Sequence, residues 1–153
     1  MSKVAVIYWS NGGNVEVLAD SISKGAKSAG ADVVIKQVQD AAVKDVQDAD
    51  AVAFGSPSMD NNRIEQQEMA PFINEFKLLP PNNKKTVLFG SYGWDKGAFL
   101  KDFKKLVTDY GFNVIGELAV NESPGDEELK TSRRIGKITC KIRLQSVKIN
   151  SKK

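Results

Sequence analysis

The fold is decided by a glycine-bearing turn and its flanks, which read Val4-Ala5-Val6-Ile7-Tyr8-Trp9-Ser10-Asn11-Gly12-Gly13-Asn14-Val15-Glu16. Val4 to Tyr8 have the apolar, β-branched character of a strand that is covered on both faces. Asn14 to Ala29 place apolar residues at the three-to-four spacing of an amphipathic helix. The first N–H groups of such a helix lack partners within it and carry partial positive charge. The turn is therefore either an anion site or a tight connection that requires glycine.

The residue composition excludes several classes of enzyme. The 153-residue chain contains no histidine and a single cysteine, Cys140. A Ser-His-Asp triad, a Cys-His pair and an ordinary zinc site are therefore excluded, and we expect no metal and no catalytic side chain. The length suits one domain with a sizeable core. A free thiol fits a reducing compartment, and the chain shows neither a signal-peptide pattern nor an apolar run of transmembrane length, so we expect a cytoplasmic protein.

The net charge of +3 averages two unlike regions. Residues 1–128 contain 13 lysines and arginines and all 19 acids, whereas residues 129–153 contain nine basic residues and no acid. We therefore do not interpret the basic pI as a nucleic-acid signal, and we expect neither a nucleic-acid nor a membrane partner. We divide the chain into one domain, residues 1–142, and a basic tail, residues 143–153.

The rest of the chain alternates short apolar strands with amphipathic helices. Further strands are predicted over Val33–Val38, Ala51–Gly55, Thr86–Gly90 and Val114–Val120. Further helices are predicted over Ile64–Leu79, Ala98–Tyr110 and Glu127 to about Lys141, with a short helical turn within Ala41–Ala49. This alternation predicts a parallel sheet with helices on both faces, in which ligands bind beyond the carboxyl ends of the strands.

Three loops should therefore share one edge of the sheet: Ser10–Val15, Ser56–Arg63 and Ser91–Gly97. No basic residue lies between Lys3 and Lys24, so a phosphate at the first loop would be held by backbone and hydroxyl groups.

The second and third loops carry side chains that suit a flat ring. Met59 in the second loop either packs on an aromatic ring or is buried in the core. Tyr92 and Trp94, among glycines in the third loop, either stack on a planar ligand or pack on the neighbouring helix. A phosphate turn, a methionine and a tryptophan at one edge together suit flavin mononucleotide, FMN.

The motifs that join strand, turn and aromatic residues resemble those of the flavodoxin family. The resemblance extends over residues 3 to about 140 and is strongest to the short-chain members of the family. The resemblance is carried by Ile7-Tyr8-Trp9-Ser10, Gly13-Asn14, Ala70-Pro71-Phe72, Leu88-Phe89-Gly90-Ser91-Tyr92-Gly93-Trp94 and Val120-Asn121-Glu122. It implies an α/β three-layer sandwich with a five-stranded parallel sheet in the order 2-1-3-4-5 and helices on both faces.

The resemblance also implies a function and a binding site. It implies a monomeric, low-potential, one-electron carrier with non-covalently bound FMN, to whose flavin edge a reductase and electron-accepting enzymes would dock. The FMN-binding residues carried over are Ser10, Asn11, Gly12, Gly13, Asn14, Val15, Pro57, Ser58, Met59, Asp60, Asn61, Ser91, Tyr92, Gly93, Trp94 and Asn121. Met59 would cover the inner flavin face and Trp94 the outer one.

Several residues depart from the family pattern or have two interpretations. Gly12 and Val15 stand where relatives usually have threonine, which predicts weaker phosphate binding. Asp60 stands where glycine is frequent, which predicts less stabilisation of the one-electron-reduced flavin. The acids Asp60, Glu65, Asp95 and Glu122 either surround the ring and lower its potential or are ordinary solvated surface residues.

Two other functions remain open at the level of sequence. One is a flavin-free or weakly FMN-binding module with a binding or regulatory role, which the two missing threonines allow. The other is a small FMN-dependent quinone reductase, for which the chain has little spare length. A phospho-receiver domain is set aside, because strand one ends in Tyr8-Trp9 and strand three in Gly55-Ser56 instead of in acidic residues.

Overall fold

The computed structural model describes residues 3–11, 13–59, 63–93, 97–121 and 125–140. The strands are β1 Lys3–Tyr8, β2 Asp32–Gln37, β3 Ala51–Gly55, β4 Lys85–Tyr92 and β5 Asn113–Asn121. The helices are α1 Asn14–Ser28, α2 Val43–Gln47, α3 Met69–Asn74, α4 Ala98–Asp109 and α5 Asp126–Cys140, with 3-10 turns at Val38–Asp40 and Glu75–Leu78. Within these ranges no helix is both long and apolar enough to cross a bilayer.

The strands form a single sheet in the order β2-β1-β3-β4-β5, with every neighbouring pair parallel. This confirms the fold predicted from the sequence. Alternate residues of the three central strands point to opposite faces. Ile7, Phe54 and Leu88 stand side by side on one face, and their neighbours Val6, Ala53 and Val87 on the other. All six side chains are buried, which explains why these strands read as continuous apolar runs.

Two separate cores fill the space between the sheet and its helices. One core contains Met69 and Phe72 of α3 with Phe99 and Phe103 of α4. The other contains Val15, Leu18 and Ile22 of α1 with Ile135 of α5. The molecule is therefore a three-layer sandwich, as predicted, with α1 and α5 on one face.

Helices α1 and α5 pack side by side in the same direction. The Ser21 hydroxyl donates to the Leu129 carbonyl at 3.1 Å. One turn further along both helices, a Cβ on Gly25 would clash with the Arg133 carbonyl. A Cβ on Gly136 would likewise clash with backbone of α1. The two glycines thus allow the helix backbones to touch.

The helix predicted over Ile64–Leu79 is shorter in the structure, because a buried carboxyl group organises its first residues differently. Glu65 is only 3% exposed. One of its oxygens accepts the N–H groups of Glu68 at 2.8 Å and Met69 at 2.7 Å, and the other accepts that of Gln67 at 2.9 Å. Glu65 therefore fixes the start of α3. Neither prediction for it was right, because it is buried and held by backbone instead of solvated or aimed at a ring.

Two strands extend further toward the predicted loops than expected. The sequence placed Ser91 and Tyr92 in a loop, but they continue β4 and pair with Val120 and Asn121 of β5. The pairing compensates for the weak strand preference of the glycines around them, because each paired residue gains ladder hydrogen bonds.

Candidate functional site

A cleft of about 230 Å³ lies at the carboxyl edge of the sheet, beyond β1, β3 and β4. It is lined by Trp9, Ser10, Asn11, Asn14, Val15, Pro57, Met59 and Ser91. The predicted loops therefore meet, as the parallel topology requires. The cleft lies next to the point where the strand order reverses between β1 and β3, which is where open α/β sheets bind ligands.

The first loop has the geometry of a tight turn and also of an anion site. Gly13 has a φ of 94° and forms the N-cap of α1 without a side chain that could cap the helix. The Ser10 hydroxyl oxygen accepts the Gly13 N–H at 3.1 Å, so its own proton is left to donate elsewhere. The first helical hydrogen bond is donated by Val17 to the Gly13 carbonyl at 3.0 Å. The amides of Val15 and Glu16 thus have no acceptor within the helix.

The second loop is anchored to the neighbouring strand and presents Met59 to the cleft. Ser58 N–H donates to the Ser91 carbonyl at 2.8 Å, and Met59 N–H donates to the Arg63 carbonyl at 2.7 Å. Met59 is 40% exposed, so its side chain is not buried in the core. Of the two interpretations of Met59, the structure supports the one in which its thioether is available to a ligand.

Trp9 lines the cleft but was not among the predicted site residues. Its backbone N–H continues the β1–β3 ladder by donating to the Gly55 carbonyl at 3.0 Å. Its indole Nε1 donates to a Glu68 carboxyl oxygen at 2.9 Å, which fixes the orientation of the ring. Its place in the cleft could have been predicted from the sequence, because Trp9 is the first residue after a buried strand and directly precedes Ser10.

Of the described residues in the third loop, Ser91 lines the cleft. Just before it, Gly90 allows β4 to approach the Ser56 carbonyl and the Phe99 ring closely, since a Cβ there would clash with both. Tyr92 is half-buried against the core, which favours the interpretation in which it packs on the protein.

The remaining predicted residues fall into two groups. Gly13, Ser58, Gly93 and Asn121 lie at the same sheet edge without lining the cleft. Gly12, Asp60, Asn61 and Trp94 lie outside the described residues, as do Asp95, Glu122 and the tail 143–153.

None of the described residues that line the cleft is basic, and the carboxyl group of Glu68 is bound to one of them, Trp9. Burial raises the pKa of Tyr8, at the end of β1, above its usual value, and the nearby Glu16 and Asp20 carboxylates add to the increase. Glu68 is held against Trp9 at the cleft wall. An anion bound here would therefore be held by backbone and hydroxyl groups, as the sequence indicated.

Comparisons with known proteins agree with this geometry. The flavodoxin family model matches residues 6–136. A flavodoxin from Megasphaera elsdenii is 39% identical over 122 residues, which are 79% of this chain and 88% of that protein. A flavodoxin from Clostridium beijerinckii is 33% identical over 137 residues, 90% of this chain and 99% of that protein. The solution structure of the two-electron reduced M. elsdenii flavodoxin superimposes with a TM-score of 0.80 at 34% identity, covering 90% of this chain and 98% of the other. The chain belongs to the flavodoxin family.

Proposed function

We propose that this chain is a low-potential, one-electron carrier that binds FMN non-covalently in the cleft beyond β1, β3 and β4. The observation that carries the proposal is the pairing, within one cleft, of an anion-binding turn with an apolar wall. Proteins of the flavodoxin family bind FMN and are in general electron carriers and not enzymes. We extend both properties to this chain, with no catalytic side chain of its own.

The donor groups at the first loop fit a phosphate. The Ser10 hydroxyl and the amides of Val15 and Glu16 can all donate, and the positive end of the α1 dipole lies there. Among the other lining residues, Trp9 and Met59 offer an indole and a polarizable thioether, which suit a flat aromatic ring. The residues present therefore fit FMN, which supplies the redox chemistry when it is bound.

The other residues of the site position these groups and shape the electrostatics. Glu68 holds the Trp9 indole in place, and the bond from Ser58 to the Ser91 carbonyl keeps the Met59 loop against β4. The Glu68 carboxyl group is bound to Trp9 at the cleft wall, and negative charge there makes the addition of an electron less favourable. Glu68 thus favours a low potential.

We also propose the molecular context. Residues 1–142 form one domain and residues 143–153 a basic tail. The protein acts as a cytoplasmic monomer, and its redox partners dock at the cleft edge. Acidic residues at that edge would steer partners with basic faces, so that electron-transfer rates fall as ionic strength rises.

Titration with FMN tests the function directly. Purified protein should quench the fluorescence of added FMN at a 1:1 ratio and show the absorption bands of a bound flavin. Ser10→Ala should weaken FMN binding by about tenfold to a hundredfold, because a hydrogen bond to a charged group contributes about 1.5–3 kcal/mol.

Ser28→Ala is the matched control, since the Ser28 hydroxyl donates to the Gly25 carbonyl at the far end of the same helix. It should leave FMN binding unchanged. A folded wild-type protein that does not quench FMN would refute the proposal and favour a flavin-free module.

A further inference from the structure

A cluster of exposed basic residues covers the ends of α1 and α5 and plays no part in the cleft. This basic face consists of Lys24 and Lys27 of α1 and of Lys130, Arg133, Arg134 and Lys137 of α5. All six residues are exposed. Helix α1 has no acid after Asp20, and α5 has none after Glu128. The next acid along the chain from α1 is Asp32, at the start of β2.

The basic residues lie on two neighbouring helices whose backbones touch. Gly25, which follows Lys24, has no side chain to hold α5 away, so its backbone lies against the backbone of Arg133. The contact recurs at Gly136, which lies against the α1 backbone next to Lys137. The rows of cations on the two helices are thus adjacent instead of being separated by side chains.

Most of the basic face lies away from the cleft. Both helices begin at the carboxyl edge of the sheet and run back toward the other edge in parallel. Their first halves carry the acids Glu16, Asp20, Asp126, Glu127 and Glu128, and Lys130 lies within one turn of the last three. The other five basic residues lie from the middle to the end of each helix, so the charge on this helix pair changes from negative beside the cleft to positive toward its far end.

Helix stability does not account for this arrangement. Basic residues favour a helix C-terminus only within the last turn, and only Lys27 and Lys137 lie there. Of the six basic residues only Lys130 forms a salt bridge among the described residues, to Glu127 at 4.0 Å. Clustered like charges repel each other, so the surface is better explained by an anionic partner.

We propose that the basic face rests on the anionic headgroups of a phospholipid bilayer, which leaves the cleft facing the aqueous phase. The sequence that follows α5 favours lipid over nucleic acid. The sequence of residues 141–153, which lie outside the described part of the chain, contains five basic residues, no acid and no aromatic residue, and the aliphatic Ile142, Leu144, Val147 and Ile149. Basic and aliphatic residues together suit the boundary between headgroups and acyl chains. Binding of single-stranded nucleic acid ordinarily uses aromatic stacking. The contact is with the bilayer surface and requires no span, and it departs from the expectation, based on the sequence, that the protein has no membrane partner.

Vesicle sedimentation of the full chain tests the proposal. Wild-type protein should sediment with vesicles that contain phosphatidylglycerol, remain in solution with phosphatidylcholine vesicles, and be released by high salt. The triple variant Arg133→Gln, Arg134→Gln, Lys137→Gln should partition about a hundredfold less, from roughly fivefold for each basic residue at an anionic surface. FMN quenching and circular dichroism, measured in parallel, report whether the variant is folded and whether the cleft still functions.

The matched control removes three charges from the other face of the sheet. Lys101→Gln, Lys104→Gln, Lys105→Gln alters exposed residues of α4 and should reduce partitioning far less. An equal loss in both triple variants would show that only net charge matters and would overturn the proposal. So would absence of wild-type binding to phosphatidylglycerol vesicles, or tighter binding to DNA or RNA at the same ionic strength. None of these results depends on whether FMN binds.

Discussion

Replacing Val15 by threonine should strengthen FMN binding while leaving the binding of riboflavin almost unchanged. Val15 is the second residue of α1, it lines the cleft, and it is only 2% exposed. Threonine has nearly the same shape, so the change exchanges one methyl group for a hydroxyl at the positive end of the helix. Riboflavin is the matched ligand, because it lacks only the phosphate.

The expected magnitude follows from two opposing terms. A new hydrogen bond from the hydroxyl to the phosphate contributes about 1.5–3 kcal/mol, which corresponds to about a tenfold to hundredfold gain in FMN affinity. Without FMN, the same hydroxyl stands against the core formed with Leu18 and Ile22, and burying it costs about 1–3 kcal/mol. Without ligand, the variant should therefore unfold at a lower urea concentration than the wild type. Adding FMN should offset this loss of stability.

Fluorescence quenching titrations with FMN and riboflavin measure both affinities under the same conditions. Val17→Thr is the control, because Val17 lies on the same helix but is 44% exposed and does not line the cleft. It should change neither affinity. If Val15→Thr raises the affinities for FMN and riboflavin equally, or raises neither, then the N-terminus of α1 does not hold the phosphate and our assignment of the cleft ends is wrong.

Three further predictions concern stability. Glu65→Ala should reduce the free energy of unfolding by about 2–4 kcal/mol in urea titrations, because three backbone N–H groups lose their acceptor; a loss below that of an ordinary surface substitution would contradict the capping role. Gly136→Ala should reduce the free energy of unfolding by about 1–3 kcal/mol, because the added methyl group forces α5 away from α1. Gly93→Ala is the control and should leave stability nearly unchanged, because a Cβ there meets open space. Equal losses of stability in the two variants would argue against the backbone contact between the helices. The contribution of Tyr8 to stability should be complete below its unfolded pKa and be lost as the pH rises through its higher folded pKa. Tyr8→Phe should therefore reduce the loss of stability at alkaline pH. If the dependence of stability on pH were unchanged in this variant from pH 9 upward, about one unit below the ordinary tyrosine pKa, the prediction would be refuted.

Much of the sheet was predictable because its signals are local. All five strands begin within one residue of the predicted starts, because each contains a short apolar run, which is continuous in the central strands that are buried on both faces. The parallel topology followed from alternation with amphipathic helices, and topology alone placed the three loops at one edge.

Hydrogen bonds to polar side chains decided what the apolar periodicity could not. The start of α3 depends on Glu65, whose buried carboxyl group accepts the N–H groups of residues two to four positions later. Its backbone N–H is bound by the Ser56 hydroxyl at 2.9 Å, nine residues earlier. Apolar spacing carries no information on such a bond, so the sequence predicted a helix that begins too early.

The site shows the same division. The sequence by itself predicted that a candidate anion-binding turn, a methionine and a tryptophan would meet at one sheet edge, because parallel strands bring their carboxyl ends together; of these, Trp94 lies outside the described residues. Only the tertiary structure decided that Met59 faces the cleft, that Tyr92 packs on the core, and that Trp9 forms a wall held by Glu68 59 residues away. Side-chain direction depends on which neighbours leave room and which supply a partner, and those neighbours are distant along the chain.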